Sequence, residues 1–326
     1  MKTPQAPLPS GFGFASTAQE VLGARSLEGT VAIVTGGYAG IGLETTRVLS
    51  AAGATVVVPV RTPEKAKKAL DGVARVELVP MDLADPASVD AFAATFLASK
   101  RPLHLLINNA GIMAAPLARD ARGFESQFAT NHLGHFQLTA RLWPAITPGA
   151  RVIALSSRGH MRAPVDFADT MFDRRPYDKW GAYGQAKTAN VLFAVGLEAR
   201  AAARNVHAFA VHPGGIVTDL MRHMSEEEMR GLGIVDGKIA EEVDSPIMPG
   251  VKIRFKTVAQ GAATQVWAAT SPALEGKGGV YCEDCDISVI VQEAGSSGVH
   301  PYAIDPGQAD ELWARSESWT GVKFTP

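Results

Sequence analysis

The fold class is decided at residues 30–42, which read Thr-Val-Ala-Ile-Val-Thr-Gly-Gly-Tyr-Ala-Gly-Ile-Gly. The first half of this stretch is β-branched and apolar, which predicts a short strand, and the glycines after it predict a tight turn. A helical pattern follows over residues 41–52, and a second apolar run covers residues 54–60. A strand, a crossover helix and a second strand together predict a buried parallel pair.

The alternation of strands and helices continues along the chain. Further strands are predicted at 75–81, 103–108, 151–156, 206–211 and 278–281, and further helices at 63–71, 86–100, 124–142, 183–203 and 258–270. This spacing predicts a single Rossmann-type α/β domain whose doubly wound, mostly parallel sheet has about seven strands, with helices on both faces.

We expect the chain to divide into an N-terminal extension, residues 1–28, and the Rossmann-type domain, residues 29–326. The first residues of the extension are rich in Pro and Gly, so we expect them to lie on the surface or to be disordered. Thr17 and Glu20 have the spacing of a capping box, which predicts a short helix at the end of the extension.

Two long loops, at about residues 158–180 and 221–257, break the alternation and are expected to bind the substrate. Within the second loop, Glu226, Glu227 and Glu228 are expected to form the first turn of a lid helix, with their charges facing water. A C-terminal helix is predicted at about residues 305–319. The apolar loop residues expected to line a roomy pocket are Met161, Phe167, Met171, Phe172, Trp180, Met221, Met224 and Met229.

Composition and charge exclude several classes of protein. Of the 326 residues, 46% are hydrophobic, which excludes a disordered chain, and a net charge of -2 offers no basic surface for nucleic acid. Two cysteines exclude a disulfide scaffold. No apolar run reaches the roughly 18 residues of a membrane span, and the N-terminus lacks the apolar core of a signal peptide. We therefore expect a cytoplasmic protein.

The glycine-rich turn from strand to helix predicts a phosphate site. Glycines there let the backbone approach a pyrophosphate, and the amide groups at the start of the helix point at it. The spacing is T-G-x-x-x-G-x-G over Thr35–Gly42. A plain tight turn is the alternative, but the position after the first strand of a doubly wound pattern favours a dinucleotide cofactor.

Six motifs in the same order resemble the short-chain dehydrogenase/reductase family. They are Thr35–Gly42, Asp82-Leu83, Asn108-Asn109-Ala110-Gly111, Ser157, Tyr183 with Lys187, and Pro213-Gly214-Gly215-Ile216-Val217-Thr218. Two further segments, 131–136 and 282–285, are similar to the branch around retinol dehydrogenases and WW-domain oxidoreductases. The cofactor contacts that the resemblance implies are Thr35, Gly36, Tyr38, Gly40, Ile41, Gly42, Arg61, Asp82, Leu83, Asn109, Ala110, Gly111, Tyr183, Lys187, Pro213, Gly214, Ile216 and Thr218.

The residues themselves indicate how a proton is moved. Tyr183 and Lys187 are four apart and so share one face of a helix, where the lysine is expected to lower the pKa of the phenol toward neutral pH. Ser157 lies at the carboxyl end of a strand, where its hydroxyl can bond the reacting oxygen. A solvated tyrosine–lysine pair and a serine that caps a turn are the alternative interpretations.

The resemblance adds three roles to this chemistry. It selects Ser157 over Ser156, it gives Lys187 a second task in bonding the nicotinamide ribose, and it makes Asn131 the fourth catalytic residue. Asn131 would hold a water that links Lys187 to solvent. An asparagine on a polar stripe of its helix is the alternative.

The end of the second predicted strand indicates the cofactor. Val60 stands where NAD-type relatives carry Asp, and Arg61 follows with a guanidinium that suits a 2′-phosphate. Lys65, one turn later, could assist. Ala39 departs from the pattern, because many NADP-dependent relatives have a basic residue before the glycine. NADP(H) is therefore expected, with NAD(H) as the less favoured cofactor and a solvated Arg61 as the alternative.

No metal site is predicted. Cys282 and Cys285 have the spacing of half a zinc site, but no second pair accompanies them. His132 and His135 lie on a helix without an acidic third ligand, so packing or hydrogen bonding is the preferred interpretation.

The predicted activity is reversible hydride transfer between NADP(H) and a small-molecule alcohol/carbonyl pair. A cofactor-binding sensor without catalysis is the alternative, and a nucleotide-sugar epimerase is disfavoured by the glycine spacing. No nucleic-acid partner and no membrane span are expected. A homodimer and a homotetramer are both compatible with the sequence, which does not define the substrate.

Overall fold

A computed structural model describes residues 3–248, 250–293, 295 and 297–326. The strands, numbered in chain order, are β1 Val31–Val34, β2 Thr55–Val60, β3 Val76–Pro80, β4 Leu103–Asn108, β5 Ile146–Leu155, β6 His207–His212, β7 Ile234–Val235, β8 Lys238–Ile239, β9 Glu242–Asp244, β10 Lys252–Arg254, β11 Val280–Glu283 and β12 Asp286–Ile287. The α-helices are α1 Ala18–Leu22, α2 Gly40–Ala51, α3 Pro63–Ala69, α4 Pro86–Ala98, α5 Ser126–Phe128, α6 Gly134–Leu142, α7 Lys179–Ala201, α8 Glu226–Gly231, α9 Val258–Gly261, α10 Ala263–Thr270 and α11 Pro306–Thr320.

The central sheet has the strand order β12-β11-β6-β5-β4-β1-β2-β3. Every neighbouring pair in it is parallel except β11 and β12. The direction of winding reverses between β1 and β4, and open sheets of this kind bind ligands at the carboxyl ends of the strands beside such a reversal. The predicted fold class is confirmed.

The described sheet has eight strands, where the sequence predicts about seven. The additional strand, β12, contains two residues and pairs antiparallel with β11 through a turn at Asp284 and Cys285. Both turn residues have positive φ, 48° and 60°, as a two-residue hairpin loop requires. Such a short strand leaves no alternating apolar pattern in the sequence.

Side chains of the strands alternate between two apolar layers. Val31 and Ile33 join the layer beneath α4, α6 and α7, whereas Ala32 and Val34 join the opposite layer, which contains Trp267 of α10. This period of two is the pleat of a strand with both faces buried. The two layers hold the strand ends, and therefore the loops after them, in fixed positions.

Two predicted helices differ from the structure near the functional motifs. The helix predicted at 124–142 contains one wide, π-type turn at Ala129–Leu133, between α5 and α6. The helix predicted to begin at Tyr183 begins at Lys179, because the Asp178 side chain accepts a hydrogen bond from the Trp180 amide and caps it. Tyr183 therefore lies in the second turn of α7.

The N-terminal segment lies along the edge of the sheet. The Gln5 side chain donates to the carbonyls of Tyr281 (2.8 Å) and Ser288 (2.7 Å) and accepts from the Tyr281 amide (2.9 Å). The Leu8 amide donates to Asp286 at 2.7 Å. These contacts cover a strand edge that would otherwise expose unpaired backbone groups.

Helix α11 is attached to the body by aromatic side chains. The ring of Phe136 on α6 lies 5.2 Å from Trp313 of α11, 6.0 Å from Phe193 and 5.8 Å from Phe324. Edge-to-face pairs at these distances contribute beyond their buried area. Of the helices in the described part of the chain, none is long and apolar enough to cross a membrane.

Replacing Phe136 is expected to weaken this attachment. Phe136→Ala should lower the free energy of unfolding by about 3–5 kcal/mol, because it removes a ring that is 1% exposed from a packed cluster. Urea unfolding followed by tryptophan fluorescence measures the loss. Phe12→Ala is the control, since Phe12 is 39% exposed and should cost less than about 0.5 kcal/mol. Equal losses in the two variants would contradict the role of the cluster.

Candidate active site

A cavity of about 510 Å³ opens at the carboxyl ends of β1, β2, β4, β5 and β6. It is lined by every residue predicted to contact the cofactor except Gly42, and by three of the four predicted catalytic residues. Asn131 lies behind the wall of the cavity and is fully buried. The predicted site residues are thus brought to one place, with Gly42 and Asn131 supporting it from behind.

The glycine-rich turn can hold an anionic group. Gly36 and Gly40 have φ of +65° and +49°, which only glycine adopts without strain. A Cβ on Gly42 would lie 2.4 Å from the Gly36 carbonyl oxygen, so Gly42 serves close packing within the turn. Helix α2 begins at Gly40, and Ala39 before it supplies no side-chain cap. Its first amide groups therefore suit a phosphate, and the turn fits the pyrophosphate of a dinucleotide.

The hydroxyl of Thr35 acts inside the protein. Its Oγ1 accepts from the backbone amides of Asn109 and Ala110, both at 2.9 Å, and lies 2.9 Å from Nε2 of His135. The Asn109 side chain donates to the Thr35 carbonyl at 2.8 Å. Thr35 lines the cavity and stays a predicted cofactor contact, while its hydroxyl fixes the segment after β4 against the glycine-rich turn.

Tyr183, Lys187 and Ser157 meet at the inner end of the cavity. The Lys187 ammonium lies 5.5 Å from the centre of the Tyr183 ring and donates to the Leu155 carbonyl at 2.9 Å. The Ser157 Oγ accepts from the Gly159 amide at 3.0 Å, so its proton remains for another acceptor. A Cβ on Gly159 would lie 2.9 Å from the Tyr183 ring, which explains a glycine there.

The expected effect of Lys187 on Tyr183 is wrong for this arrangement. Burial raises the pKa of Tyr183 to about 12, and the nearby Ser157 hydroxyl only partly opposes this. Burial also lowers the pKa of Lys187 to about 7. The amine is directed at the Leu155 carbonyl rather than at the phenol oxygen, and burial disfavours both charged forms. Tyr183 therefore carries its proton at neutral pH.

The two neighbouring serines have different surroundings. Ser156 is 2% exposed, and its Oγ donates to the Lys187 carbonyl at 2.8 Å. Ser157 is less buried and lines the cavity beside Tyr183. Ser156 thus joins β5 to α7, while Ser157 presents its hydroxyl to a ligand.

Asn131 lies in the wide turn between α5 and α6 and holds the segment that follows β4. Its Oδ1 accepts from the Ile112 amide at 2.8 Å, and its Nδ2 donates to the Ile112 carbonyl at 2.9 Å. A Cβ on Gly111 would lie 2.9 Å from the Asn131 Oδ1. Both polar atoms of the Asn131 side chain are therefore engaged within the protein.

Arg61 is the cation at the outer end of the cavity. It is exposed, and among the described residues its side chain has no ion pair or hydrogen bond. Lys65, which the sequence also suggests, is paired with Asp219 at 2.8 Å. Val60 is 2% exposed and packs in the apolar layer, so it does not face the cavity. A guanidinium without a partner suits a phosphate group.

The end of the cavity beside Tyr183 is apolar, but only part of the set of residues expected there forms it. Trp180, Met221 and Met224 line the cavity. The other five predicted side chains do not line the cavity: Met161, Phe167, Met171, Phe172 and Met229. Met161, Phe167 and Met171 pack in other apolar clusters, and Phe172 is 7% exposed. Lining residues that the sequence analysis missed are Met113, Leu220, Leu232, Ile247, Met248, Ile253 and Phe255. Five of these seven lie in the second loop, where their apolar character was the available signal.

Helix α8 covers this end, and one of its glutamates is not free in water as expected. Glu228 accepts from the Lys179 ammonium (2.8 Å) and from the Trp180 indole nitrogen (3.1 Å). Burial opposes the effect, but the bonds from Lys179, Ser225 and Trp180 lower the pKa of Glu228 to about 2. The helix is thereby tied to the start of α7.

The two cysteines lie in the hairpin of β11 and β12. Both are free and buried, Cys282 is packed in an apolar layer, and the Cys285 sulfur lies 3.9 Å from the Thr264 hydroxyl. The spacing of the pair therefore follows from the hairpin. Over residues 3–248, 250–293, 295 and 297–326 no group of three or more His, Cys, Asp or Glu side chains could hold a metal ion.

Comparisons with known proteins agree with this geometry. Residues 30–229 match the family model of short chain dehydrogenases. A probable oxidoreductase of Streptomyces antibioticus is 45% identical over 298 residues, covering 88% of this chain and 96% of the relative. Human retinol dehydrogenase 12 is 34% identical over 306 residues, covering 91% and 88% of the two chains.

A solved structure also resembles the model over most of its length. The crystal structure of a putative uncharacterized protein from Mycobacterium paratuberculosis is 32% identical, has a TM-score of 0.71, and covers 93% of this chain and 98% of that one. Motifs, sheet order and relatives agree. The chain belongs to the short-chain dehydrogenase/reductase family of oxidoreductases.

Proposed function

We propose that this oxidoreductase transfers hydride reversibly between NADP(H) and an alcohol/carbonyl pair of a fairly apolar small molecule. One observation carries the proposal: a single cavity joins the glycine-rich turn and Arg61 at one end to Tyr183, Ser157 and Lys187 at the other. The substrate end is apolar, which favours an apolar substrate. A sensor would need only the cofactor end.

The protein's part in the reaction follows from the protonation of its side chains. When bound, the nicotinamide cofactor supplies or accepts the hydride. In the reductive direction Tyr183, which is protonated at neutral pH, donates its proton to the carbonyl oxygen. Ser157 donates a hydrogen bond to the same oxygen, since its lone pair is engaged by the Gly159 amide. Lys187 would bond the nicotinamide ribose, and the ammonium form of its side chain, with a pKa of about 7, would be the source of the proton that replaces the one lost by Tyr183.

We further propose NADP(H) over NAD(H). The support is the position of Arg61 on the cavity wall, where its side chain has no ion pair or hydrogen bond among the described residues. No carboxylate follows β2 directly to accept bonds from an adenosine ribose.

Residues 29–326 are proposed to work as one catalytic unit, and residues 1–28 as an extension to it, in which Gln5 and Leu8 contact the edge of the sheet. A cytoplasmic location is supported by two buried free cysteines, which need no oxidising compartment. Sedimentation would distinguish a homodimer from a homotetramer.

Tyr183→Phe tests the acid. The variant should bind NADPH like the wild type and lose at least about a hundredfold in the rate of hydride transfer, because a positioned proton donor is removed. Single-turnover oxidation of NADPH with a panel of aldehydes and ketones measures the rate. Tyr177→Phe is the control, since the Tyr177 hydroxyl bonds Ala115 and Glu125 outside the cavity. A near-normal rate in Tyr183→Phe would contradict the assignment.

The two serines are expected to separate catalysis from stability. Ser157→Ala should lower kcat and kcat/KM together, as loss of a bond made mainly in the transition state does. Ser156→Ala should be milder in rate and should lower the free energy of unfolding by about 1 kcal/mol, through its lost bond to the Lys187 carbonyl. Steady-state kinetics and urea unfolding give both values. The opposite order of kinetic damage would assign the catalytic hydroxyl to Ser156.

Arg61→Ala tests the cofactor. We expect kcat/KM for NADPH to fall about tenfold or more at low salt and less at high salt, because charge-assisted bonds to an exposed phosphate are screened. The value for NADH should stay unchanged. Lys68→Ala is a control on the adjacent helix, where Lys68 is exposed and does not line the cavity. Equal use of the two cofactors by the wild type would refute the proposal.

A further inference from the structure

His135 is a buried residue that the proposed reaction does not use. It lies in the first turn of α6, four residues after Asn131, and is 3% exposed. Its Nδ1 lies 3.0 Å from the Asn131 carbonyl oxygen, and its Nε2 lies 2.9 Å from the Thr35 hydroxyl. The imidazole therefore bridges the wide turn that holds Asn131 and the end of β1.

The partners determine where the ring carries its proton. A carbonyl can only accept, so Nδ1 is the protonated nitrogen. The Thr35 oxygen accepts from two backbone amides, and the acceptors within reach of its own proton are Nε2 at 2.9 Å and the Ile107 carbonyl at 3.4 Å. With Nδ1 protonated, Nε2 is the nearer acceptor and receives the proton. Burial lowers the pKa of His135 to about 4, which keeps the ring neutral as this pattern requires.

The two residues that His135 bonds, Thr35 and Asn131, hold residues 109–112 from both sides. The Thr35 hydroxyl fixes the amides of Asn109 and Ala110, and the Asn131 side chain fixes the amide and carbonyl of Ile112. Residues 109–112 form one wall of the cavity. A neutral imidazole between Thr35 and Asn131 thus completes the frame of that wall.

We propose that His135 is a positioning residue that sets the cofactor wall through Thr35 and the catalytic turn through the Asn131 carbonyl. The proposal rests on the proposed function, because its consequences are cofactor affinity and hydride-transfer rate. His132, one turn earlier, differs in kind. Its ring bonds Ser316 of α11 at 2.8 Å and packs 5.2 Å from Phe128, away from the cavity.

Two substitutions separate the two bonds. Asparagine places a donor near the position of Nδ1 and cannot reach Thr35, whereas glutamine can place an acceptor near the position of Nε2 and lacks the donor to Asn131. His135→Asn should therefore weaken NADPH binding about fivefold, the loss expected for one neutral hydrogen bond, and speed hydrogen exchange at 109–112. His135→Gln should keep NADPH affinity within about twofold and lower the single-turnover rate about fivefold.

His132→Ala is the matched control. It should lower stability and leave NADPH affinity, exchange at 109–112 and turnover as in the wild type. Calorimetric titration with NADPH, exchange followed by mass spectrometry, and single-turnover kinetics supply the readouts. If both His135 variants give the same three readouts as the wild type or as His132→Ala, His135 is a core residue and the proposal is wrong.

A failure of the proposed function gives a different result. If the wild-type protein binds NADPH but does not oxidise it with any carbonyl compound tested, the proposed reaction is wrong. The inference about His135 is not affected by that result. The exchange and NADPH affinity of His135→Asn would then still decide whether the imidazole holds residues 109–112. Exchange as slow as in the wild type would refute the inference whatever the activity.

Discussion

The active site depends on how α7 is attached to the end of β5. The Leu155 carbonyl accepts from the Lys187 amine and from the Asn190 side chain, both at 2.9 Å, and Ser156 donates back to the Lys187 carbonyl. These contacts give the buried polar groups the hydrogen bonds that water would otherwise provide. Without them, burial of these groups would cost free energy. They also set the rotation of α7, and so bring the Tyr183 ring opposite Ser157. A change in this attachment would move Tyr183, the proposed acid, relative to Ser157.

Sequence patterns predict the sheet well because its strands are buried on both faces and separated by helices of ordinary length. They predict the position of Ser157 and the glycine-rich turn for the same reason, since both follow strand ends. Tyr183 is predicted from its four-residue spacing to Lys187. The strand β12, with two residues, and the wide turn at Ala129–Leu133 escape prediction, because neither alters the apolar period. The start of α7 at Lys179 depends on the local cap by Asp178, which a hydrophobic pattern does not contain.

Side-chain environment is harder to predict than position. The sequence places Lys187 beside Tyr183 correctly, but the sign of the pKa change depends on burial and on the Leu155 carbonyl. Met171 and Phe172 fail as pocket residues because long loops bury some of their apolar side chains against their own neighbours. Lys65 is ion-paired whereas Arg61 is not, because the partner of Lys65 is Asp219, which lies 154 positions later in the chain. Such long-range pairs require the tertiary structure.

The N-terminal segment on the edge of the sheet has a consequence for folding during protein synthesis. Gln5 bonds Tyr281, 276 residues later, so the N-terminal segment is synthesised long before the strand that it contacts. At about 5–20 residues per second, this interval is tens of seconds in bacteria or somewhat longer elsewhere. During that time the nascent chain lacks β11 and β12, and the N-terminal segment is accessible to proteases and to other proteins. The N-terminal segment can therefore take its position only after β11 and β12 have been synthesised and have joined the sheet.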